Sequence, residues 1–316
     1  MDSQRERVSV VIPVRNRESL IRRTLESVYD QTYRPITVIV VDNGSTDNTV
    51  RVVEEFRESH SAGETAGEFC IKLLREERPG AAAARNRGLR EVTTRMVSFF
   101  DSDDEMYPGM LEETMRVSDG ADIVRFRVER VHFSGYVEKL PFYKHRLLWR
   151  HFHNAVLATQ QYIVSADFIR SAGSWEPEAM VWDDWELGIR LALNSPRVRN
   201  VESRKPLARI YLQKESITGE KYIDKCGAWE NAMDIVEAKL MQSGLRGFPL
   251  RRMLGLLDYR RALLAGIYKE EGYAEVSRKL LDKTLAHTRL GAARKMLLRA
   301  VAWLRGHGVR GTYYLW

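Results

Sequence analysis

Cysteine is nearly missing from this chain. Cys70 and Cys226 are the only two in 316 residues, and they lie far apart, outside any CxxC pair. That scarcity excludes a disulfide scaffold and a cysteine zinc site, and it fits a reducing compartment. No stretch approaches the roughly 18 uninterrupted apolar residues of a membrane span. Residues 1–7 are polar and lead straight into an apolar run, so no signal peptide is expected. The turn after that run reads Pro13-Val14-Arg15-Asn16-Arg17, with neither G-x-G-x-x-G nor G-K-[ST]. Hydride transfer on a dinucleotide and phosphoryl transfer at a P-loop thereby lose most of their support. Aromatic residues do not interleave with the basic ones as in nucleic-acid binders, so no nucleic acid partner is expected.

What is present is an ordinary globular composition, 44% hydrophobic and 29% charged. The length allows one large domain and an appendage. The net charge of +7 is uneven. Residues 246–316 carry fifteen Lys or Arg against five Asp or Glu, which leaves the first 245 residues slightly acidic.

The first half alternates strand and helix. Val8-Ser9-Val10-Val11-Ile12-Pro13 is β-rich and is expected to end at its proline, which cannot donate to a central ladder. Apolar residues at 20, 21, 25 and 28 then predict a helix over 19–28. A second strand, Ile36-Thr37-Val38-Ile39-Val40-Val41, runs into Asp42-Asn43-Gly44-Ser45-Thr46-Asp47. There Gly44 supplies a turn, and Ser45 or Asp47 can cap a helix over 48–57. A third strand over 70–74 precedes the small-residue helix Ala81-Ala82-Ala83-Ala84-Arg85-Asn86-Arg87-Gly88-Leu89. Such alternation predicts βαβ units and a parallel sheet covered on both faces.

The run Met96-Val97-Ser98-Phe99-Phe100 reads as a buried strand, and Asp101-Ser102-Asp103-Asp104 follows it directly. The acids therefore cluster past a strand's C-terminal end, where open α/β sheets bind ligands. Three acids in four residues repel one another unless a cation or polar ligand compensates them, and hard divalent ions prefer such oxygen donors. A solvated acidic turn that caps the next helix is the plain alternative. For Asp42 the plain alternative is a turn-forming side chain, and the functional one is a contact to a base imide or ribose hydroxyl.

Val10-Val11-Ile12-Pro13-Val14-Arg15-Asn16, Val40-Val41-Asp42-Asn43-Gly44-Ser45-Thr46-Asp47, Ala83-Ala84-Arg85-Asn86-Arg87-Gly88-Leu89 and Phe99-Phe100-Asp101-Ser102-Asp103-Asp104 occur in order. Together they resemble the family-2 glycosyltransferases of GT-A fold, over roughly residues 7–220. A fifth block agrees, running from Ala166-Asp167-Phe168 to Val181-Trp182-Asp183-Asp184-Trp185-Glu186. It resembles the acceptor-side segment of that family, where an acidic pair opens a helix and its second member serves as base.

The resemblance implies an α/β fold, with a Rossmann-like, mostly parallel sheet flanked by helices and a helical C-terminal extension. It divides the chain into a catalytic domain over 1–225 and a basic helical region over 226–316. The nucleotide-sugar half of the catalytic domain would cover about 7–105, and the acceptor half about 106–225. Carried over residue by residue, it implies that Pro13 and Arg15 line the nucleotide pocket and that Asp42 contacts the base. Arg85 and Asn86 would lie near the ribose and diphosphate. Asp101 would touch the ribose or the metal's surroundings. Asp103 would hold a divalent cation, Mn2+ or Mg2+, with Asp104 as a further ligand. Asp184 would be the general base and Asp183 the second choice; helix capping is their plain role. The implied reaction inverts the anomeric centre. It moves a sugar from a nucleotide diphosphate sugar, UDP-linked by resemblance, to a hydroxyl of a glycan or lipid-linked saccharide in surface polysaccharide synthesis.

Trp182 and Trp185 flank the acids and would either stack on a sugar or pack in the core. Tyr211-Leu212-Gln213-Lys214-Glu215-Ser216-Ile217-Thr218-Gly219 lacks the His that related enzymes often carry there. Lys214 would then offer the positive charge, within a candidate lid over 214–225. His151-Phe152-His153 would point both imidazoles to one side of a strand, without a third metal ligand nearby. From about Ala228 the chain reads as helical. At about 100° per residue, Arg294, Lys295, Arg299 and Arg305 fall on one arc of 290–305. Met296, Leu297, Ala300, Val301, Trp303 and Leu304 fall on the other. Such a helix either touches anionic lipid or packs its apolar face on protein, in this chain or in a homodimer. The expected location is cytoplasmic, with the inner face of the plasma membrane as the alternative. Two rivals remain: a sugar-phosphate nucleotidyltransferase, which would want a Gly-rich basic first loop, and a non-catalytic nucleotide-sugar-binding relative, which would lack the acidic pair.

Overall fold

Val8–Val14 is buried along its whole length, and this strand, β1, lies inside the molecule's main sheet, between β4 and β2. The computed structural model describes residues 5–60, 67–212, 221–312 and Leu315. After β1 come α1 (Ile21–Tyr29), β2 (Ile36–Asp42), α2 (Thr49–His60), β3 (Phe69–Arg75), α3 (Ala81–Glu91) and β4 (Met96–Phe99). β5 (Glu105–Met106), α4 (Met110–Arg116), β6 (Ile123–Arg125), β7 (Val128–Val131), β8 (Val137–Lys139) and α5 (Leu147–Asn154) follow. Next are β9 (Tyr162–Ser165), α6 (Ala166–Ser171), α7 (Asp183–Leu193), β10 (Val198–Asn200) and β11 (Ala208–Tyr211). The chain ends with α8 (Cys226–Gln242), α9 (Gly247–Glu270), α10 (Ala274–His287) and α11 (Ala292–Arg305).

The main sheet has the order β10-β6-β9-β4-β1-β2-β3. It is parallel except for β9, which runs antiparallel to both β4 and β6. Alternation along β1 divides the core. Val8, Val10, Ile12 and Val14 pack with Ile21, Leu25 and Val28 of α1, while Val11 faces Ala82, Ala84 and Leu89 of α3. This is the doubly covered α/β sheet that the sequence predicts. A second sheet, β5-β11-β7-β8, is built from strands of two to four residues. Nothing in the sequence pattern announced it.

β1 does not stop at Pro13; the pairing with β2 continues through Pro13 opposite Val41 and Val14 opposite Asp42. The carbonyl of Val11 accepts from the N–H of Phe100, so Val11 faces β4. Pro13, two residues on, faces the same side, beyond the end of β4 at Phe99. No partner there needs its missing donor.

α3 approaches β1 closely through Gly88. A Cβ at Gly88 would lie 2.4 Å from Val11 Cγ1 and 3.3 Å from Val41 Cγ2. Both valines are fully buried and cannot swing away. This glycine sets the depth at which the earlier turns of α3 sit over the strand ends.

His151 and His153 lie in a helix, α5, not a strand. Two residues apart on a helix they point about 200° apart, so the expectation of two imidazoles on one side does not hold. His151 is buried, and His153 stacks against Trp149 at 4.4 Å.

Residues 148–154 and 214–316 form a compact unit of their own. Within it α9 is the central helix, buried from Leu256 to Tyr268 except for Arg260. α11 packs along it, with Leu298, Val301 and Ala302 against Tyr259, Ala262 and Leu263. The helical wheel is thereby corrected. Arg305, expected on the solvent arc, is 9% exposed and pairs with Glu270, whereas Met296 and Trp303 stand in solvent. The cause is Gly266: a Cβ there would lie 2.6 Å from Arg305 Cβ, so the crossing point selects the helix face. Among the described residues no helix is long and apolar enough to cross a membrane.

Gly88→Ala is expected to lower stability by about 1–3 kcal/mol through overpacking against Val11. Urea denaturation of Gly88→Ala, Val11→Ala and the double variant should show the two changes partly compensating. Simple additivity would mean that the close approach is not the cause.

Candidate active site

The C-terminal ends of β1, β2 and β4 bring three loops to one edge of the main sheet. The first two interlock. Asn16 donates its N–H to Ser45 Oγ and accepts from the Thr46 N–H at 2.8 Å. The Arg17 N–H donates to Thr49 Oγ1 at 2.7 Å. Asp47, not Ser45, caps α2, accepting from the Thr49 N–H at 3.0 Å. Asp42 is buried at the end of β2 and accepts from the Ser45 N–H at 3.1 Å. Pro13 is buried behind these loops, and Arg15 is exposed on them.

α3 delivers Arg85 to the same edge. Its guanidinium donates to Asp101 Oδ1 through one nitrogen and to Asp183 Oδ2 through another, both at 2.6 Å. The side chain is 6% exposed and lies 4.4 Å over the Trp175 ring. Two carboxylates hold it charged against the desolvation that would lower its pKa. One buried cation thus joins the acid after β4 to the acid that opens α7, although 82 residues separate them in the chain. Asn86 completes the arrangement differently from expectation. Its amide donates to the Trp175 carbonyl and accepts from the Trp175 N–H, so it clamps the segment before α7.

The four-residue acidic stretch is divided among separate partners. Asp101 uses one oxygen for Arg85, while Gln160 donates to the other. Asp103 accepts from Arg17 Nε at 3.3 Å. Burial, followed by the charge of Asp101, raises its pKa. Asp104 is 2% exposed and accepts from the Tyr211 N–H at 2.8 Å on the small sheet. Burial and both neighbouring acids push its pKa well up. Asp104 is therefore bound into the protein and is not available as the further metal ligand expected of it. Among the described residues no group of three or more His, Cys, Asp or Glu could hold a metal ion. The donor set still fits a hard cation in part, because Mg2+-type sites commonly use one or two carboxylates plus substrate phosphates. Asp103, beside Asp101 and Asp104 and with its carboxylate met by Arg17, is the member that fits such a role.

α7 opens with Asp183 and Asp184 after Trp182, whose backbone is left-handed at φ 53°. A bulky residue there is strained, and such strain gathers at functional sites. Asp183 is tied to Arg85, whereas Asp184 forms no salt bridge among the described residues and accepts from the Trp185 N–H at 2.7 Å. Burial and the adjacent Asp183 raise the Asp184 pKa to about 7. Trp185 is core, packed edge-on against Trp182 at 5.6 Å. One turn on, Glu186 and Arg190 form a buried fork with both contacts at 2.6 Å. Arg190 also holds the Ala172 carbonyl. Reasoning from the residues passed over Arg17, Gln160 and this pair. Only the Glu186–Arg190 spacing of four within an apolar helix carried a readable signal. Lys214 and most of the candidate lid fall outside the described residues.

Arg85→Met is expected to cost about 3–5 kcal/mol, because it strands two carboxylates. Arg85→Lys should fall between, since an ammonium cannot fork to both. Urea midpoints would check this, and near-wild-type stability for Arg85→Met would refute the bridging role.

The family model described as Glycosyl transferase family 2 matches residues 9–159. YibD, an uncharacterized glycosyltransferase of Escherichia coli (strain K12), is 34% identical over 127 residues, 40% of this chain and 35% of that protein. The Escherichia coli UDP-Glc:alpha-D-GlcNAc-diphosphoundecaprenol beta-1,3-glucosyltransferase WfgD is 39% identical over 106 residues, 33% of this chain and 38% of that protein. The chain thus spans little more than a third of the length of these relatives. Among solved structures, S. aureus TarS 1-349 superposes with a TM-score of 0.73 at 17% identity, covering 97% of this chain and 89% of that one. The same protein has been solved with UDP-GlcNAc. The mannosyltransferase PcManGT of Pyrobaculum calidifontis, solved with GDP-Man and Mn2+, gives 0.58 at 19% identity, covering 99% and 86%. These likenesses establish the GT-A fold.

Proposed function

We propose that this chain, whose residues 9–159 match the family model described as Glycosyl transferase family 2, is an inverting glycosyltransferase. It moves a sugar from a UDP-linked donor to a hydroxyl of a glycan or lipid-linked saccharide in the synthesis of a surface polysaccharide. The observation that carries the reading is the Arg85 bridge, which sets Asp101 on the donor side against the acidic pair of α7.

In this reading Asp42, Pro13 and Arg15 receive the nucleoside, and Asp103 with Asp101 faces the diphosphate. A divalent cation held there would stabilise the negative charge that grows on the departing nucleotide. Arg17 and Arg85 supply positive charge at the same edge. Asp184 takes the proton from the acceptor hydroxyl as the oxygen attacks the anomeric carbon from the face opposite the nucleotide, so an α-linked donor gives a β-linkage. Asp183 is the second choice for that role, because Arg85 pairs with its carboxylate at 2.6 Å. Asp184 has a pKa raised to about 7 by burial and by Asp183 despite the charge of Arg85, the property a base working near neutrality requires. Support for UDP comes from the UDP-GlcNAc complex of TarS and the UDP-Glc donor in the name of WfgD. The Mn2+ of PcManGT supports a divalent cation.

A thermal-shift panel of UDP, GDP and dTDP with and without Mn2+ tests the donor class. Saturation at 100 times Kd stabilises by about 2.7 kcal/mol. UDP with Mn2+ should shift the melting most, and Asp103→Asn should remove the metal-dependent part. No shift with any nucleotide would end the proposal.

Asp184→Asn should lower turnover by about 10²- to 10⁴-fold while leaving the UDP shift intact. Wild-type turnover should climb with pH to a plateau above about 7, as Asp184 ionises. Stability should show the opposite trend. The Asp184 pKa is raised on folding from its ordinary value of 3.8, so its contribution is full below that value and is lost as pH rises through about 7. Asp184→Asn should therefore melt higher than wild type at pH 8, with the gap closing near pH 4. A gap that fails to depend on pH would place the raised pKa elsewhere.

A further inference from the structure

The helical unit contains a cavity of about 540 Å³ that the transferase reading does not use. Its volume lies within the roughly 300–1,000 Å³ of small-ligand sites. Four arginines line it: Arg251 and Arg252 from the first turns of α9, Arg289 from the loop before α11, and Arg294 from the first turn of α11. The single acid in the lining is Asp258, and it is already satisfied: Arg261 pairs with it and the Thr288 hydroxyl donates to it. Among the described residues Arg251 and Arg289 have no acidic partner. The positive charge of these two is therefore not neutralised from within the described lining.

The backbone adds to that charge. α9 and α11 run parallel. Gly255 and Asp258 of α9 share the cavity with residues 291–294, and eight to eleven residues further on Gly266 meets Ala302 and Arg305. Both N-termini consequently sit at the cavity end. Neither helix has a side-chain cap or an acid in its first turn. Ala292 and Ala293, the first two residues of α11, belong to the lining. Unbonded N–H groups and two aligned dipoles favour an anion there. Guanidinium forks match the oxygens of a tetrahedral phosphate, and exposed Phe248 with Leu254 and Leu290 gives the cavity an apolar wall.

We propose that the cavity between the N-terminal ends of α9 and α11 is a binding site for a phosphate group, in the form of a monoester or diester carried on a partly apolar body. The group comes either from a small soluble molecule or from the head group of an anionic lipid. The site does not depend on the transferase reading, and its test uses binding alone.

The test compares the full-length wild type with Arg251→Glu/Arg289→Glu and with a control of equal charge change, Arg278→Glu/Lys279→Glu, exposed on α10 outside the lining. Probes are glycerol phosphate, read by calorimetry, and phosphatidylcholine vesicles with or without phosphatidylglycerol, read by co-sedimentation. The cavity pair should weaken binding about tenfold or more, while the control binds as wild type does. That pattern with glycerol phosphate assigns a soluble ligand, and with phosphatidylglycerol vesicles alone a lipid head group. Equal losses in both variants would reduce the effect to general surface charge, and binding of neither probe by the wild type would remove the site; either overturns the proposal. A UDP-induced melting shift retained in the cavity pair separates this outcome from failure of the donor site.

Discussion

A single buried guanidinium holds the candidate site together. Arg85 is surrounded by protein, and an isolated charge there would be expensive to desolvate. It is tolerated because two carboxylates meet it at 2.6 Å and an indole face lies beneath it. The arrangement needs Arg rather than Lys, since only a planar fork reaches two acids on different sides at once. It also needs α3 at a set height above the sheet, which Gly88 permits by leaving room for Val11. Asn86, the next residue, clamps the backbone of Trp175, the residue on which the guanidinium stacks. One turn of helix thus fixes depth, charge and the approach of α7 together.

That bridge creates an asymmetry between neighbours. Asp183 pairs directly with Arg85; Asp184, next in sequence, faces that like charge with Arg85 acting on it without a direct ion pair. Adjacent acids with separated affinities for a proton are a common basis for dividing tasks in a site. The left-handed Trp182 contributes by starting α7 abruptly, so that both carboxylates project from the first turn. The buried Glu186–Arg190 fork and the Ala172 carbonyl hold that turn from behind. The site is consequently a compromise in which the fold keeps Asp184 poorly solvated.

Much of this was legible in the residues, and the rest was hidden for physical reasons. β-branched runs separated by helical periodicity announce β1 to β4 and the parallel sheet, because burial on both faces demands continuous apolar strands. The acids at 101–104 and 183–184 stand out because charge after a buried run has few bland explanations. Their individual fates do not. Asp104 is claimed by the Tyr211 N–H from a strand of four residues, and such strands exist only through their partners. Arg17 meets Asp103 across 86 positions of chain, a contact no local pattern encodes. Asn86 reads as a ligand contact by position, yet its two-sided amide suits a backbone clamp equally well.

The C-terminal helices show why composition alone misplaces charge. The arginines of this basic region look alike in sequence, yet they meet opposite fates. Arg261 is enclosed by Asp234, Glu237 and Asp258, and Arg305 is enclosed with Glu270 beside a glycine crossing. These two are structural cations, neutralised where they stand. Arg251 and Arg289 share the same unit but open on a cavity whose one acid already has Arg261 as its partner. Burying an unneutralised cluster would be prohibitive, so it remains open to solvent and attracts anions in proportion to the charge left over. The excess of basic residues is therefore not spread evenly over a solvated surface: the fold neutralises part of it and concentrates part of the remainder at the positive ends of two parallel helices.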